Sequence, residues 1–427
     1  MAAQHPPPAR PADSPDPDYA EFPHWRRNRY ALPVTGFFQA LGFTMSSPFL
    51  PLILREMGVV NNLETWVGYL VGIYFTISLV LATFWGGIAD HYGRRLMVLR
   101  TSLGMGALYL LLPFAPSLPW FLLVFLLLGT TNGVIPACQG LMATSTPPRM
   151  LSSSLSMLQT GALLGGMLGP PLGALLAGWA PAYRDLYWVA AAFTLTGGFV
   201  ALFFTREHFV RPPGRLELHP LRDLATVLRV PGIPALFFVY FTYMLTYNGS
   251  VPVVSVHILH LLEATGVRDS GSVNLWVGVV SLVLPVGSAL AAPLWGRLLD
   301  RLGPARALPF TIALGAIGVA GVAAAYDPLT LGLARAVLGV LAVGIGPAAI
   351  SLVRGRAPRG MESRVLANLT SAGMIGMGGG PLLAGMIGPL LGLRAYFLLN
   401  AALLLLGFFI WRAARRANPP GAGAGQG

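Results

Sequence analysis

The residues in this chain best suited to chemistry are few and mostly charged. Asp90 is followed by Arg94 and Arg95 within Gly86-Gly87-Ile88-Ala89-Asp90-His91-Tyr92-Gly93-Arg94-Arg95. An acid and two guanidiniums at that spacing can pair with each other, with lipid phosphate or with a neighbouring helix start, where the dipole favours an anion. Gly86 would let helices approach closely, and Gly93 permits a tight turn. The group reads as a latch for one conformation; a plain turn carrying cytoplasmic charge is the simpler alternative. Arg335 stands alone in an apolar run, where a charge is costly and marks a functional position. Tyr240, Tyr243 and Tyr247 recur at i, i+3 and i+7, with Asn248 adjacent. Such a face can stack on lipophilic rings or hold cations. His257 lies near the end of its apolar run and can exchange a proton near neutral pH.

The same inventory excludes other classes. Cys138 is the only cysteine, so neither an intramolecular disulfide nor a thiolate metal site can form. No nucleophile–base set, phosphate loop or metal-ligand cluster is present, so an enzyme is not expected, nor a metal or cofactor. The net charge is +12, every basic residue being arginine, but the arginines sit in short gaps between apolar runs. Nucleic-acid binding needs them on one soluble face.

These residues must be positioned by membrane helices. The 427 residues are 55% hydrophobic and 10% charged, against roughly 25% charged in a soluble chain. A span needs about 20 apolar residues. Twelve stretches qualify: 30–54, 64–88, 96–114, 118–142, 153–178, 184–204, 232–260, 274–296, 306–326, 329–353, 365–390 and 394–412. The expected architecture is all-α, twelve transmembrane helices in two pseudo-symmetric six-helix bundles. Residues 1–29 would form a cytoplasmic tail without a cleavable signal, 30–204 one bundle, 205–231 a cytoplasmic linker, 232–412 the second bundle and 413–427 a disordered tail. With both termini inside, 23 arginines fall in inner segments. Only Arg55, Arg184, Arg268 and Arg394 fall outside. That is the positive-inside pattern.

An internal repeat supports two halves. Trp85-Gly86-x-x-x-Asp90-x-x-Gly93 returns 210 residues later as Trp295-Gly296-x-x-x-Asp300-x-x-Gly303, with Arg306 following. Gly161, Gly165, Gly169 and Gly173 form a helical stripe in the fifth span, with Pro170 adding a kink. Gly165, Gly169 and Pro170 match Gly376, Gly380 and Pro381 at an offset of 211. Parallel repeats of this kind are a transporter plan, with the solute site at midplane between the halves.

The Gly86–Arg95 run resembles the loop signature of the major facilitator superfamily. Leu168-Gly169-Pro170-Pro171-Leu172-Gly173 resembles the Gly-Pro signature of its drug:proton antiporters, and the likeness to bacterial multidrug efflux members covers nearly the whole chain. The resemblance implies a secondary transporter of the cytoplasmic membrane that exports lipophilic or cationic drugs by alternating access, with the proton gradient as energy source, as a monomer with no partner but lipid and solute. A metabolite transporter, such as one for a sugar, and a non-transporting receptor or scaffold are the alternatives. The resemblance also implies that spans one, four, seven and ten line a central cavity, making Gln39, Asn132, Gln139, Tyr243, Tyr247, Asn248 and Arg335 substrate-binding candidates, and His257 a proton-coupling candidate. One position departs from the family: Gly129-Thr130-Thr131-Asn132-Gly133 has Gly129 where an arginine is usual. On this reading Arg335-Ala336-Val337-Leu338-Gly339 in span ten is the counterpart that keeps it.

Overall fold

The computed structural model describes residues 22–209, 227–267, 269–357 and 361–417. Among these, every regular element is helical. That follows from a lipid setting, where a helix satisfies its backbone internally. Twelve rods are formed. They are α1 (Trp25–Glu56), α2 (Leu63–Tyr92), α3 (Arg94–Leu111), α4 (Leu118–Ser145), α5 (Pro148–Ala177) and α6 (Leu186–Phe204). The second set is α7 (Ile233–Tyr247 continued by Val251–Ala264), α8 (Ser270–Leu302), α9 (Pro304–Ala324), α10 (Pro328–Arg356), α11 (362–391) and α12 (393–417).

Among the described residues, nine helices are long and apolar enough to cross a membrane. The other three rods miss that count for simple reasons. α3 carries Arg94, Arg95 and Arg100 in 18 residues. α7 is cut into pieces of 15 and 14 residues. α11 and α12 run together as one helix of 56 residues, divided only at Gly392, where φ is +79°. α4 and α10 are also broken, at Asn132–Gly133 and Val343–Gly344.

The tails differ from expectation. α1 begins at Trp25, inside the expected 1–29 tail. Hydropathy does not register why: the Asn28 amide donates to the Arg206 carbonyl (2.7 Å) and accepts from its N–H (3.0 Å). Arg27 Nε donates to the Phe204 carbonyl (2.9 Å). These bonds pin the start of α1 to the end of α6. α12 continues to Ala417, past the expected end at 412. There Arg415 donates to the Ala305 carbonyl (3.0 Å), and Arg356 covers the buried Trp411 ring. Most of the expected linker, 210–226, and residues 418–427 of the expected tail lie outside the described residues.

The repeat is written into the packing. Gly93 and Gly303 both take positive φ (+100° and +76°) with extended ψ, a conformation that glycine adopts without strain. Each lets a long helix turn directly into the next. Arg184 donates to the Ala115 carbonyl, and Arg394, 210 residues on, donates to that of Ala325, both at 3.2 Å. α1 packs on α5 and α6 as α7 packs on α11; α2 faces α4 as α8 faces α10. The two sets meet along α2–α11 and α5–α8.

Candidate functional site

A cavity of about 330 Å³ lies between the two sets of helices. Its wall draws on α2, α5, α8 and α11 as well as α1, α4, α7 and α10. Phe43, Tyr74, Phe75 and Phe125 form an aromatic side; Phe43 stacks on Tyr74 at 6.4 Å. Tyr247, Asn248, Ser281, Ser288 and Arg335 form a polar side, contributed by the second half. Arg335 is the one charged side chain among the described lining residues. It is 2% exposed, and its Nε donates to the Val280 carbonyl at 3.1 Å. Buried among helices, it does not reach for the membrane surface. The Tyr247 hydroxyl contacts that of Ser288, which also donates to the carbonyls of Leu284 (2.9 Å) and Gly339 (3.1 Å).

The structure brings together only some of the residues expected here. Tyr247, Asn248 and Arg335 line the cavity. Gln39 does not: its amide donates to the Thr194 carbonyl of α6 at 2.8 Å, fastening two helices of one bundle. Tyr243 is buried against Gly346 of α10. Tyr243 and Tyr247 share one unbroken helix, their rings 5.3 Å apart, but only Tyr247 lines the cavity. Asn132 opens instead on a second cavity, about 270 Å³, lined by Trp85, Asp90, Arg94 and Arg100. There it donates to Ser78 (3.2 Å) and caps the break in α4 through the Gly133 N–H (2.8 Å). Gln139 is half-buried and lines neither cavity. His257 lies outside the central cavity, buried with its ring 5.6 Å from that of Phe397 on α12.

Among the described residues, Asp90, Arg94 and Arg95 make no hydrogen bond or ion pair with the opposite half. Asp90 accepts from Arg94 at 3.2 Å, within its own turn. The start of α3 is held by Glu207, whose two carboxylate oxygens accept the backbone N–H groups of Arg94 (2.9 Å) and Arg95 (2.8 Å). The sequence reading missed Glu207; an acid placed just after an apolar run was its only signal. Arg94 also donates to the Gly140 carbonyl of α4 at 3.2 Å. Gly86 and Gly296 do not serve close helix approach here, since a Cβ at either would meet nothing within 4 Å. Their faces look onto a gap. Asp300 is exposed and forms no ion pair among the described residues, and Arg306 sits in the turn at Gly303.

The glycine stripe does form a contact. A Cβ on Gly161, Gly165 or Gly173 would overlap the carbonyl oxygen of Pro33, Phe37 or Met45, and one on Gly169 would come 2.8 Å from the Met45 nitrogen. On the second half, Gly376 and Gly380 face α7 in the same way, 2.9 Å from the Leu245 nitrogen and 2.7 Å from the Leu245 oxygen. The prolines of both motifs lie where the halves meet: the Pro170 carbonyl faces Gly278 of α8, and that of Pro381 faces Gly68 of α2.

Among the described residues, polar contacts between the halves cluster at the arginine-poor end. Arg55 pairs with Glu263 at 2.6 Å, Tyr183 donates to Asn274 (2.9 Å), and Thr65 donates to the Gly385 carbonyl (3.0 Å). His260 and Glu64 approach to 4.0 Å. Glu56 accepts the Tyr183 N–H.

Comparison with known proteins agrees with this geometry. The sequence pattern of the Major Facilitator Superfamily matches residues 34–284 and 236–426. The chain is 31% identical over 401 residues to the multidrug resistance protein MdtG of Escherichia coli O17:K52:H18, covering 93% of this chain and 97% of that protein. Two solved structures share the fold. The human organic anion transporter MFSD10 (TETRAN) has a TM-score of 0.67 at 22% identity, covering 91% of this chain and 99% of that one. A bacterial homolog of the human lysosomal transporter Spinster, inward-facing and unoccupied, has a TM-score of 0.71 at 16% identity, covering 92% and 97%. The chain belongs to the Major Facilitator Superfamily and is a membrane transporter.

Proposed function

We propose that this transporter exports small lipophilic compounds across a bacterial cytoplasmic membrane, as a monomer with both termini in the cytoplasm. The observation that carries the reading is the cavity between the halves, walled by aromatic side chains and closed at one end by contacts that join both halves. The opposite end carries most of the arginines, and the positive-inside rule sets that end in the cytoplasm. On that orientation the conformation is inward-facing, ready to load solute from inside. Export then requires the halves to rock, with α2–α11 and α5–α8 parting as the inner faces at Gly86 and Gly296 come together. The MdtG relative, a multidrug resistance protein, supports drug-like cargo. The proton gradient is the proposed energy source; His257, away from the cavity, is the candidate carrier inside a helix.

The test is accumulation of a lipophilic fluorescent dye in pump-deficient bacteria expressing the chain, with and without an uncoupler, beside Asp90→Asn. Lower accumulation that the uncoupler abolishes and Asp90→Asn weakens supports proton-driven export. Extrusion that survives collapse of the gradient overturns the coupling. Unchanged accumulation with the protein present in the membrane overturns lipophilic-drug export.

A further inference from the structure

We infer that the solute is an amphiphilic organic anion, whose acid group docks at Arg335 beside Tyr247 and Ser288 while its apolar body lies against Phe43, Tyr74 and Phe125. The inference rests on the central cavity being the transport site, and it adds the sign of the charge carried.

The argument starts from an asymmetry between equivalent positions. The offset of 210 that relates Ser78 to Ser288 and Gly129 to Gly339 in matching hydrogen bonds also relates Phe125 to Arg335. Both side chains line the cavity. One half therefore presents a phenyl ring where the other presents a guanidinium, and the cavity has an apolar pole and a cationic pole.

The cationic pole lacks a counter-charge. Arg335 has five N–H donors; the one bond it makes among the described residues is from Nε to the Val280 carbonyl. No carboxylate is found among the described lining residues. A buried charge without an ionic partner is unfavourable, and an anion entering the cavity relieves it with charge-assisted bonds. The Tyr247 hydroxyl stands on the same pole; with the Ser288 O–H committed to backbone carbonyls, Tyr247 has the one free proton of the pair and can turn it to the acid group. Tyr247 lies near enough to Arg335 to interact electrostatically. A cation in this cavity would be repelled by Arg335, with no acid to offset it. The volume of about 330 Å³ lies within the range of small-molecule sites, roughly 300–1,000 Å³. The cationic-drug expectation drawn from the tyrosine face is thereby replaced, because only Tyr247 of that face reaches the cavity.

The probes are pyrenebutyrate, its methyl ester and the matched pyrenylbutyl trimethylammonium cation, which share one apolar body and differ in charge. Binding to the purified full-length protein is read by fluorescence at neutral pH, and uptake by proteoliposomes is read with a proton gradient imposed. The acid is expected to bind on the order of tenfold or more tightly than the ester or the cation. Arg335→Gln should remove that preference, and Tyr247→Phe should reduce it. Equal or tighter binding of the ester or cation by the wild-type protein overturns the inference without relying on any variant folding, and so does binding of none of the three. A folded Arg335→Gln protein that keeps the acid preference also overturns it. The uptake arm judges the transport reading separately: preferred uptake of ester or cation keeps transport and rejects the anion. An acid that binds but is never moved keeps the anion and rejects transport of it.

Discussion

Ser78 and Ser288, 210 residues apart, make the same two hydrogen bonds. Each hydroxyl is shared between the carbonyl one turn back in its own helix, Tyr74 or Leu284, and a glycine carbonyl on the facing helix, Gly129 or Gly339. The equivalence fixes how the halves superimpose. It sets Gly339 opposite Gly129, and Phe125 opposite Arg335. Arg335 is therefore not the span-ten counterpart of Gly129, as the sequence pattern suggested; the two lie one helical turn apart in the repeat.

Gly129 has no room for an arginine. A Cβ there would lie 2.8 Å from the Tyr74 carbonyl oxygen, and one on Gly339 would overlap that of Leu284. Gly129→Ala and Gly339→Ala should each destabilise by about 1–3 kcal/mol, the usual range for an overfilled contact, with Gly339 the more sensitive. Gly129→Arg should not give folded protein, whereas Phe125→Arg, facing the cavity, should remain foldable. Thermal unfolding in detergent with size-exclusion profiles checks the set. A well-folded Gly129→Arg would refute this account of the missing arginine.

Glu207 and Asp90 should separate by what they change. Glu207 accepts both leading N–H groups of α3, and loss of such a cap costs about 0.5–2 kcal/mol. Asp90 is exposed and, among the described residues, is bonded to Arg94 one turn away. Glu207→Ala should lower thermal stability measurably. Asp90→Asn should leave stability near wild type and slow transport, because its latch partner is met only in another conformation. Equal stability losses for the two would argue against this division.

The contact between the halves at Gly68 and Gly278 predicts a trap. These glycines are 210 residues apart and face the carbonyls of Pro381 and Pro170, so the closed end has no space for a side chain. Gly68→Leu and Gly278→Leu should hold that end open and abolish transport while preserving the fold. Increased labelling of a cysteine introduced at Ser281, in the cavity wall, by a membrane-impermeant reagent from outside checks it. Cys138 is buried and gives little background. Unchanged labelling would refute the trap.

The sequence made some of this legible and concealed the rest for physical reasons. Periodic glycines and the repeated Trp-Gly-x-x-x-Asp motif report local geometry, so the packing stripe on α5 and the turn at Gly93 could be read directly, while the stripe's partner, α1, could not. Which face of a helix meets the cavity is a property of packing. Gln39 looked like a cavity amide, yet it donates to the Thr194 carbonyl of α6. Asn132 instead caps a break at Gly133 that a uniform apolar run conceals, and Tyr243 packs toward Gly346 of α10. Glu207 was hidden because its partners are backbone N–H groups 112 and 113 residues away in sequence.

The Arg55–Glu263 pair should act as a weak, salt-sensitive lock. The side chains come from opposite halves, approach to 2.6 Å and are 48% and 47% exposed. Exposed pairs are worth about 0.2–1 kcal/mol, which shifts a two-state population roughly 1.4- to 5-fold. Arg55→Gln or Glu263→Gln should therefore enlarge the fraction open at this end by such a factor, not lock the protein in one state. The shift should shrink as salt screens the pair, and the swap Arg55→Glu with Glu263→Arg should restore the wild-type distribution. Spin-label distances across this end, measured at low and high salt, read each population. A large shift that salt does not reduce would refute the ion-pair account, and no shift at all would assign the closure to the glycine contacts, because packing, unlike an exposed ion pair, is insensitive to screening.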